Sequence, residues 1–394
     1  MGGIARRATE INDVRSQGVP SIVIDGGEFA PEYSRLGEIK FETLVESFHH
    51  MKYDAVSLGE REILMQDSRY DAWNVLMSSG IPVATLNLTY KGKRLRGQPV
   101  IIDRGGIKIA LFGLFMADHL PAGVVKEWGM TDTARMVEDA LSYTEKNADI
   151  SIVMFSGEVS KARELVKKHP GIDVAIVSHR SMQSPLILQL NNSLLISAGN
   201  NGKYLGRVDG CEKDGKWTFR GKFVVLDRSI PKDPVLKAIY GKYQERVKRF
   251  VKTSAGQVKE DLETKFSAVH TANECQSCHG NVYNEWMSTS HAHAMDSLVE
   301  RAEHYNPECV GCHTTGYMKG GFLSFDTTPQ YAGVQCVSCH GWMEGHIDVH
   351  SGKQESPEGK IAKIPKLTQD TCLKCHTPER DDDFNFERDK REVH

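Results

Sequence analysis

The chain lacks both a long hydrophobic run and an excess of charge of one sign. Its longest strongly apolar stretch, residues 107–117, is interrupted by Lys108 and is too short to span a bilayer. Lysine and arginine number 49 and aspartate and glutamate 52, which gives a formal net charge of -3 at pH 7. Because nucleic-acid binding requires a basic surface, we expect neither a nucleic-acid partner nor a membrane span.

Cysteine is also scarce, because the 394 residues include only nine, and eight of these lie in four C-x-x-C-H motifs. The motifs are Cys275/Cys278/His279, Cys309/Cys312/His313, Cys336/Cys339/His340 and Cys372/Cys375/His376. Two thiols on one tight turn can add to the vinyl groups of a porphyrin, while the adjacent imidazole reaches its iron. A structural zinc site also uses paired cysteines, but it does not require a histidine after each pair. We predict four covalently bound haems c, with the motif histidines as proximal iron ligands, and no second metal site.

The haem motifs also predict the cellular compartment. Haem c is attached on the outer side of the cytoplasmic membrane, so we expect a periplasmic or extracellular protein. The first residues, MGGIARRATEINDVRSQG, lack the apolar core of a signal peptide. We expect the segment that directs export to lie upstream of Met1.

Short apolar runs alternate with helical segments over residues 1–228, which predicts an α/β layered domain with a buried sheet. The predicted helix covers residues 41–51, and the predicted strands cover residues 21–25, 54–58, 81–86, 107–114, 150–155, 174–177 and 194–197. The ninth cysteine, Cys211, lies beside Gly210 in a strand-turn context and is predicted to be buried or inert.

The composition changes after residue 228. Pro231 and Pro234 end the α/β region, and residues 235–262 carry Lys, Glu and Val at helical spacing. This pattern predicts one long amphipathic linker helix, with Gly256 as a point where it could break. We therefore divide the chain into residues 1–228, a helical linker at 229–264, and a haem domain at 265–394.

Several N-terminal segments resemble the successive blocks of the 5'-nucleotidase branch of the metallophosphoesterases. They are GGIARRATEINDVRSQGVPSIVIDGGEF, YDAVSLGEREI, IPVATLNL, ADISIVMFSGEV, and GIDVAIVSHRS followed by NGKYLGRVD. The resemblance covers essentially the whole N-terminal domain. It implies a two-layer sheet core flanked by helices, with a two-metal site at the strand ends.

The residues at the implied metal site depart from the family pattern. The family's first strand, with its Asp-x-His ligands, would precede Gly2. Glu28 replaces the bridging aspartate, and Gly157 replaces a ligand histidine. The Gly-Asn-His-Glu block is here Gly59, Glu60, Arg61 and Glu62, and the Gly-His-x-His block keeps His179 but has Ser181 as its second member.

These replacements predict that phosphoesterase activity is absent. Two metal ions need most of their ligands to activate water and clamp a phosphoryl group. The alternative is a remodelled metal or anion site built from His179, Glu28 and Glu60, with Arg61 as an oxyanion partner. We favour a catalytically degraded domain that serves as a scaffold or docking surface, because metal affinity depends on ligand number and geometry.

The C-terminal segments resemble the tetrahaem cytochrome c554 family. They are CQSCHGNVYNEWMSTSHAHAM, NPECVGCHTTGYMKGGF, GVQCVSCHGWMEGH and CLKCHTPERDDDFNFERDKREVH. The resemblance implies a mostly helical multihaem cytochrome c domain, packed round closely spaced haems. So short a segment with few apolar runs has little core of its own, so we expect the haems to hold it together.

The other histidines of this domain are the candidate distal iron ligands. The resemblance implies that His291, His346 and His394 bind iron from the far side. Four further candidates are His270, His293, His304 and His350. In the resembled family the haem of the C-x-x-C-H-T-T-G motif, here that of His313, can lack a sixth ligand.

Three functional hypotheses follow. The first is an electron carrier that serves a redox protein partner or an extracellular acceptor. The second is a subunit that self-associates into a haem-lined filament, with His270 or His394 ligating a haem of the neighbouring subunit. The third is a reductase or oxidase of a small nitrogen or sulfur species at an open haem on His313. We favour the carrier over an enzyme because no catalytic side-chain set beside that haem can be read from the sequence.

Overall fold

The computed structural model describes residues 3–117, 120, 126–179, 184–199, 202–263, 269–341, 346–350, 366–378, 380–381 and 383–393. The chain divides into two compact units, Met1–Tyr243 and Gln244–His394. No helix within the described ranges is long and apolar enough to cross a membrane.

The first unit is built on a six-stranded sheet whose inner strands are parallel and whose two outer strands are antiparallel to their neighbours. Its strands are β5 (Val100–Arg104), β6 (Ile107–Phe115), β8 (Ile150–Ser156), β9 (Val174–Ser178), β10 (Leu186–Leu190) and β11 (Ser193–Ser197). Their order across the sheet is β10, β11, β9, β8, β6, β5. The inner strands are almost continuously apolar, as expected for parallel strands covered on both faces.

Two short parallel strands extend this array, β1 (Ile24–Asp25) and β2 (Ala55–Val56). Val83 forms a parallel bridge to β2, and Thr85 forms one to Gly113 of β6. The strand predicted at residues 81–86 is therefore reduced to isolated bridges, since Pro82 has no N–H to donate to a ladder. The ends of β1, β2, β8 and β9 consequently meet at one edge of the array.

Two smaller sheets complete the strands of this unit. The first contains β3 (Leu88–Tyr90), β4 (Lys93–Arg94) and β7 (Trp128–Met130). The second is a long hairpin of β12 (Tyr204–Lys213) and β13 (Lys216–Val225). Cys211 lies on this hairpin and is exposed, so the prediction of a buried thiol is wrong, and its inertness stays a prediction.

Helices cover the sheet and fix the layers. They are α1 (Ile4–Ser16), α2 (Arg35–His50), α3 (Glu60–Leu64), α4 (Ala72–Ser78), α5 (Thr133–Asn147) and α6 (Val159–Lys168). Helices α5 and α6 bury Val137, Ala162 and Val166 in one core with Phe112 and Phe155 of the sheet. A separate core contains residues of α1, α2 and α4. The predicted α/β layered fold is thus confirmed.

The helix predicted over residues 235–262 is confirmed as α7 (Pro234–Glu263), and it continues through Gly256 without a break. Asp233 caps its first turn, since one carboxylate oxygen accepts the N–H groups of Val235 (3.0 Å) and Leu236 (2.9 Å). The division between the two compact units falls inside this helix.

The rest of the second unit consists of short helices, with no strand among its described residues. They are α8 (Ala272–Gln276), α9 (Gly280–Met287), α10 (Asp296–Val299), α11 (Pro307–His313), α12 (Cys336–His340), α13 (His346–His350), α14 (Gln369–Leu373) and α15 (Phe386–Asp389), with 3-10 turns at Pro329–Tyr331 and Lys390–Glu392. Its apolar cluster of buried residues is small: Val269, Met295, Leu298, Val310, Phe322, Tyr331 and Val337. The mostly helical prediction is confirmed, and so small a core requires support from something other than side chains.

Candidate functional site

Each C-x-x-C-H motif adopts a helical turn. Helices α11 and α12 contain whole motifs, whereas α8 and α14 each carry the first cysteine of theirs. The N–H groups of His279 and His376 donate to the carbonyls of Cys275 and Cys372, both at 2.9 Å. In such a turn, side chains three residues apart lie on the same face. The two thiols of a motif are thus placed together, with the histidine at the end of the turn.

Two of the proximal histidines face another histidine across a gap. The ring centroids of His279 and His346 are 6.3 Å apart, with an interplanar angle of 22°. Those of His376 and His291 are 6.0 Å apart. An imidazole nitrogen binds a transition metal at about 2 Å, so two imidazoles on opposite sides of one iron have centroids about 6 Å apart. Both pairs therefore fit a six-coordinate haem iron, and both distal members are histidines that the sequence singled out.

The surroundings of the distal histidines favour the neutral imidazole that binds iron. Burial lowers the pKa of His291, and the neighbouring His376 lowers it further. Burial also lowers the pKa of His346, with further contributions from His350, His279 and His270. His270 and His350 therefore lie near the same pair.

Hydrogen bonds orient two of the proximal rings. Nδ1 of His376 lies 2.6 Å from Oδ2 of Asp381, and Nδ1 of His313 lies 2.6 Å from the carbonyl oxygen of Ala294. Each ring donates its Nδ1 proton to an oxygen, which leaves Nε2 free to bind a metal. The first acceptor is an anion and the second is a neutral carbonyl.

The remaining candidate ligands are placed differently. His293 uses both ring nitrogens, towards Asp296 (3.3 Å) and the carbonyl of Met287 (2.9 Å). Nδ1 of His270 contacts Glu274 at 2.9 Å, and the ring of His350 lies 4.6 Å from that of His346. His394 lies outside the described residues.

His304 packs beside two aromatic rings, Tyr305 at 4.4 Å and Phe325 at 5.5 Å. Its Nδ1 is buried with no hydrogen-bond partner in the described part of the chain. No ring of the described residues faces His313 at the spacing of the two histidine pairs. The described residues thus place a facing histidine at two of the four motif histidines, His279 and His376, and place none at His313.

The cysteine motifs lie together in pairs that do not follow the chain. The thiols of Cys275 and Cys336 interact, which raises the pKa of Cys275 and lowers that of Cys336 to about 7. Cys312 similarly contacts Cys375, whose pKa rises to about 12, chiefly through burial. These free thiols stand in for the thioether sulfurs of attached haem. The first motif is therefore next to the third and the second is next to the fourth, and Cys339 of the third motif also lies near Cys372 and Cys375 of the fourth.

A second polar cluster lies at the strand edge of the first unit. Glu28 follows β1 in the left-handed region, with φ 64°, and its Oε1 accepts the N–H of Glu60 (2.7 Å) and the hydroxyl of Ser156 (3.1 Å). Glu62 accepts the N–H groups of Glu28 (2.9 Å), Gly59 (2.7 Å) and Ala30 (2.7 Å). Burial, with the neighbouring Glu28 carboxylate, raises the pKa of Glu62 to about 7.

The other residues of the implied metal site, apart from the Glu28 and Glu62 carboxylates, lie in the segments that follow the neighbouring strands. The guanidinium of Arg61 points to the carbonyl of Ala30 at 3.5 Å, and His179 directly follows β9. Gly157 has φ 158°, and a Cβ there would lie 3.0 Å from the carbonyl oxygen of Met116, while Ser181 lies outside the described residues. Within the described ranges, no three His, Cys, Asp or Glu side chains are arranged to hold a metal ion.

Two groups of polar side chains in the structure were not predicted from the sequence. Asp381 was not singled out, although it lies only five residues beyond His376 in an aspartate-rich run. The other is a buried cluster in which Nη1 of Arg7 lies 3.2 Å from the hydroxyl of Tyr53 and 3.8 Å from Asp25. Burial raises the pKa of Asp25, and the charge of Arg7 opposes that rise.

Comparison with known proteins connects the second unit to haem proteins. The family model described as "Cytochrome c554 and c-prime" matches residues 274–341. Cytochrome c-554 of Nitrosomonas europaea is 30% identical over 129 residues, which cover 26% of this chain and 55% of that protein. Covalently bound haem c is characteristic of this family, and the C-x-x-C-H turns and facing histidines described above fit it.

The first unit matches a different group. The 5'-nucleotidase of Bos taurus is 25% identical over 289 residues, covering 64% of this chain and 48% of that protein. The crystal structure of a 5'-nucleotidase precursor from Thermus thermophilus superposes with a TM-score of 0.55 and 17% identity, over 62% of this chain and 53% of that one. The chain spans about half the length of the curated relatives it matches. It therefore joins a domain with the 5'-nucleotidase fold to a cytochrome c554-like domain with covalently bound haem c.

Proposed function

We propose that the chain is a tetrahaem c-type cytochrome that relays electrons, with its first unit acting as a scaffold or docking surface. The observation that carries the proposal is the pair of facing histidines, His279 with His346 and His376 with His291. A bound haem supplies an iron that cycles between the ferric and ferrous states. The remaining steps depend on what the protein's own residues do.

The facing histidines favour electron transfer over substrate binding at these two positions. The paired imidazoles would hold a haem from both sides and leave no position for a small molecule, and a haem held in this way would supply outer-sphere electron transfer. Burial lowers the pKa of His291, which favours the neutral imidazole that binds iron. The hydrogen bond from Nδ1 of His376 to Asp381 fixes the ring orientation.

The pairing of the cysteine motifs supports a relay. Cys275 contacts Cys336, and Cys312 contacts both Cys375 and the carbonyl of Lys374, the latter at 3.9 Å. Because each thiol marks the edge of an attached porphyrin, the paired motifs bring haem edges close together. Electrons can then pass between neighbouring haems within the unit.

The haem count can be measured on the holoprotein by mass spectrometry. We expect four covalent haem additions in the wild type and three in the double variant Cys275→Ser, Cys278→Ser. The matched control is Cys211→Ser, which removes an exposed thiol outside the motifs and should retain four haems. A wild-type chain that contains zinc in place of haem would overturn the proposal.

The proposed role of the first unit rests on its strand-edge cluster. The carboxylates of Glu28 and Glu62 accept hydrogen bonds from the protein itself, and Arg61 and Gly157 stand where the nucleotidase pattern has histidines. We expect no phosphatase turnover above background with added manganese. Turnover that is lost in Glu28→Ala would instead indicate a working remodelled site.

We place the protein in the periplasm or outside the cell, because haem c is attached beyond the cytoplasmic membrane and cytochromes of the matched family are typically periplasmic. A redox protein or an extracellular acceptor would be its partner. Fractionation of the native host followed by haem staining tests the location. Haem-stained protein confined to the cytoplasm would contradict it.

One observation favours a second function, reduction or oxidation of a small molecule at the haem of His313. No described ring faces that histidine at ligand spacing, whereas two other proximal histidines have such a partner. Addition of nitric oxide to the reduced protein should then change the spectrum of one haem. An unchanged spectrum would exclude this second function and leave electron relay as the single proposed function.

A further inference from the structure

The proximal ligand His376 differs from His313 in the group that accepts its Nδ1 proton. At His376 the acceptor is the Oδ2 atom of Asp381, at 2.6 Å, and at His313 it is the carbonyl oxygen of Ala294, also at 2.6 Å. The two hydrogen bonds have the same length. Only the first acceptor carries a full negative charge.

The chain places Asp381 by a local turn. Its backbone N–H donates to the carbonyl of Thr377 at 2.8 Å, which brings the carboxylate back over His376. The ring of Phe384 stacks on the imidazole at 4.8 Å, with an interplanar angle of 22°. The imidazole is therefore held between a carboxylate at its edge and an aromatic ring on its face.

Among the described residues, no lysine or arginine forms an ion pair with Asp381. Its ion-pair partner among the described residues is His376, whereas the nearby Asp383 and Asp389 both pair with Arg388. The side chains of Asp381 and His376 are 40% and 35% exposed, so solvent weakens the interaction without removing it. The full effect of this carboxylate is thus directed at one haem ligand.

We propose that Asp381 is a positioning residue that lowers the reduction potential of the haem held by Cys372, Cys375 and His376. The inference rests on the proposed haem-binding function. An anionic acceptor draws the Nδ1 proton towards itself and makes Nε2 a stronger donor to iron, which stabilises the ferric state. A neutral carbonyl, as at His313, does so less.

This difference gives the relay a direction. Cys312 contacts Cys375, so the haems of His313 and His376 are neighbours. The haem beside Asp381 has the lower potential of the two. With haems bound at both motifs, this difference would favour electron transfer from the haem held by His376 to the haem held by His313.

The test is a spectroelectrochemical titration of the holoprotein and of Asp381→Asn. Asparagine keeps an oxygen that can accept the Nδ1 proton but removes the charge. We expect one of the four one-electron components to move to higher potential by at least a tenfold change in its reduction equilibrium, about 59 mV. The matched control is Asp383→Asn, which removes the same charge from a side chain that is 89% exposed and pairs with Arg388.

The outcomes separate this inference from the proposed function. Four haems with unchanged potentials in Asp381→Asn, or an equal shift in Asp383→Asn, would overturn the role of Asp381 and leave the relay intact. A wild type without four reducible haems would overturn the relay itself. Should the asparagine variant lose its fourth haem, Asp381→Glu keeps the charge and should retain the low potential, so a raised potential there would contradict the inference.

Discussion

Two histidines, His291 and His346, each face the histidine of a C-x-x-C-H motif. Each lies in a segment distant from the proximal histidine that it faces, at 6.0 Å from His376 and 6.3 Å from His279. The motifs and the family resemblance could nominate distal ligands. They could not say which proximal histidine each would meet, because that depends on the packing of segments far apart in sequence.

Replacing His291 should open one haem. In His291→Ala the iron bound by His376 loses its sixth ligand, so we expect a high-spin ferric signal from one haem. The control is His293→Ala, two residues away, whose ring nitrogens already contact Asp296 and Met287. Electron paramagnetic resonance of both variants checks this. More high-spin haem in the control than in the wild type, or no increase over the wild type in His291→Ala, would contradict the assignment.

The raised pKa of Glu62 implies that the folding stability of the first unit depends on pH. Burial and Glu28 raise its pKa from 4.5 to about 7, so the folded state holds a proton that the unfolded state releases. The contribution of protonated Glu62 to the stability of the folded first unit is therefore complete below about pH 4.5 and is lost as the pH rises towards 7. Pulse proteolysis in urea, read from first-unit peptides, should show this decline.

The variant Glu62→Gln provides the comparison. Glutamine cannot titrate, so the decline between pH 4.5 and 7 should flatten, although overall stability falls because one N–H loses its acceptor. A decline as steep as in the wild type would show that another group titrates.

Among the elements of the first unit, the loop after β1 packs closely against the loop after β2 at the strand edge. Gly27 has φ 98°, and a Cβ there would lie 3.0 Å from the backbone nitrogen of Gly59 and 3.0 Å from the carbonyl carbon of Leu58. Gly106, in the turn between β5 and β6, has φ 87° and open space around it. The first glycine is required for both conformation and close approach, the second for conformation alone.

Alanine substitutions separate these two requirements. Gly106→Ala should lower the free energy of unfolding by about 1–2 kcal/mol, the cost of a left-handed residue with a Cβ. Gly27→Ala should lower the free energy of unfolding by more, because the backbone atoms of Leu58 and Gly59 cannot move aside as a flexible side chain could. Urea denaturation of the two variants compares them. Equal losses would mean that the close approach is unimportant.

The elements also show where sequence patterns succeed and fail. The buried strands β6, β8, β9 and β11 follow apolar runs, and all four were predictable. The hairpin β12–β13 was missed, although Asp214 and Gly215, both with positive φ, form the two-residue turn typical of such hairpins. Its strands mix charges with apolar residues because one face is exposed.

At the scale of the whole molecule, the two units differ in what stabilises them. The first has several apolar cores around its sheet, whereas the described residues of the second form one small cluster of seven buried apolar side chains. The cysteine motifs are visible in the sequence itself, and their role as four haem attachment sites stays a prediction. Their pairing, first with third and second with fourth, could not be predicted because it depends on the tertiary fold.

Removing the haems should therefore affect one unit only. Protein produced without haem attachment should be cleaved rapidly within residues 244–394, while the first unit stays resistant, because the small core needs its cofactors. Limited proteolysis with mass spectrometry compares the two forms. Equal resistance of the second unit with and without haem would show that its side chains suffice.

The most direct test of the account is the electron paramagnetic resonance spectrum of the oxidised holoprotein, integrated against its haem content. The account predicts low-spin ferric signals from at least two haems, because His279 and His376 each face a second histidine. A spectrum that contains only high-spin haem would contradict it, since neither histidine pair would then bind iron.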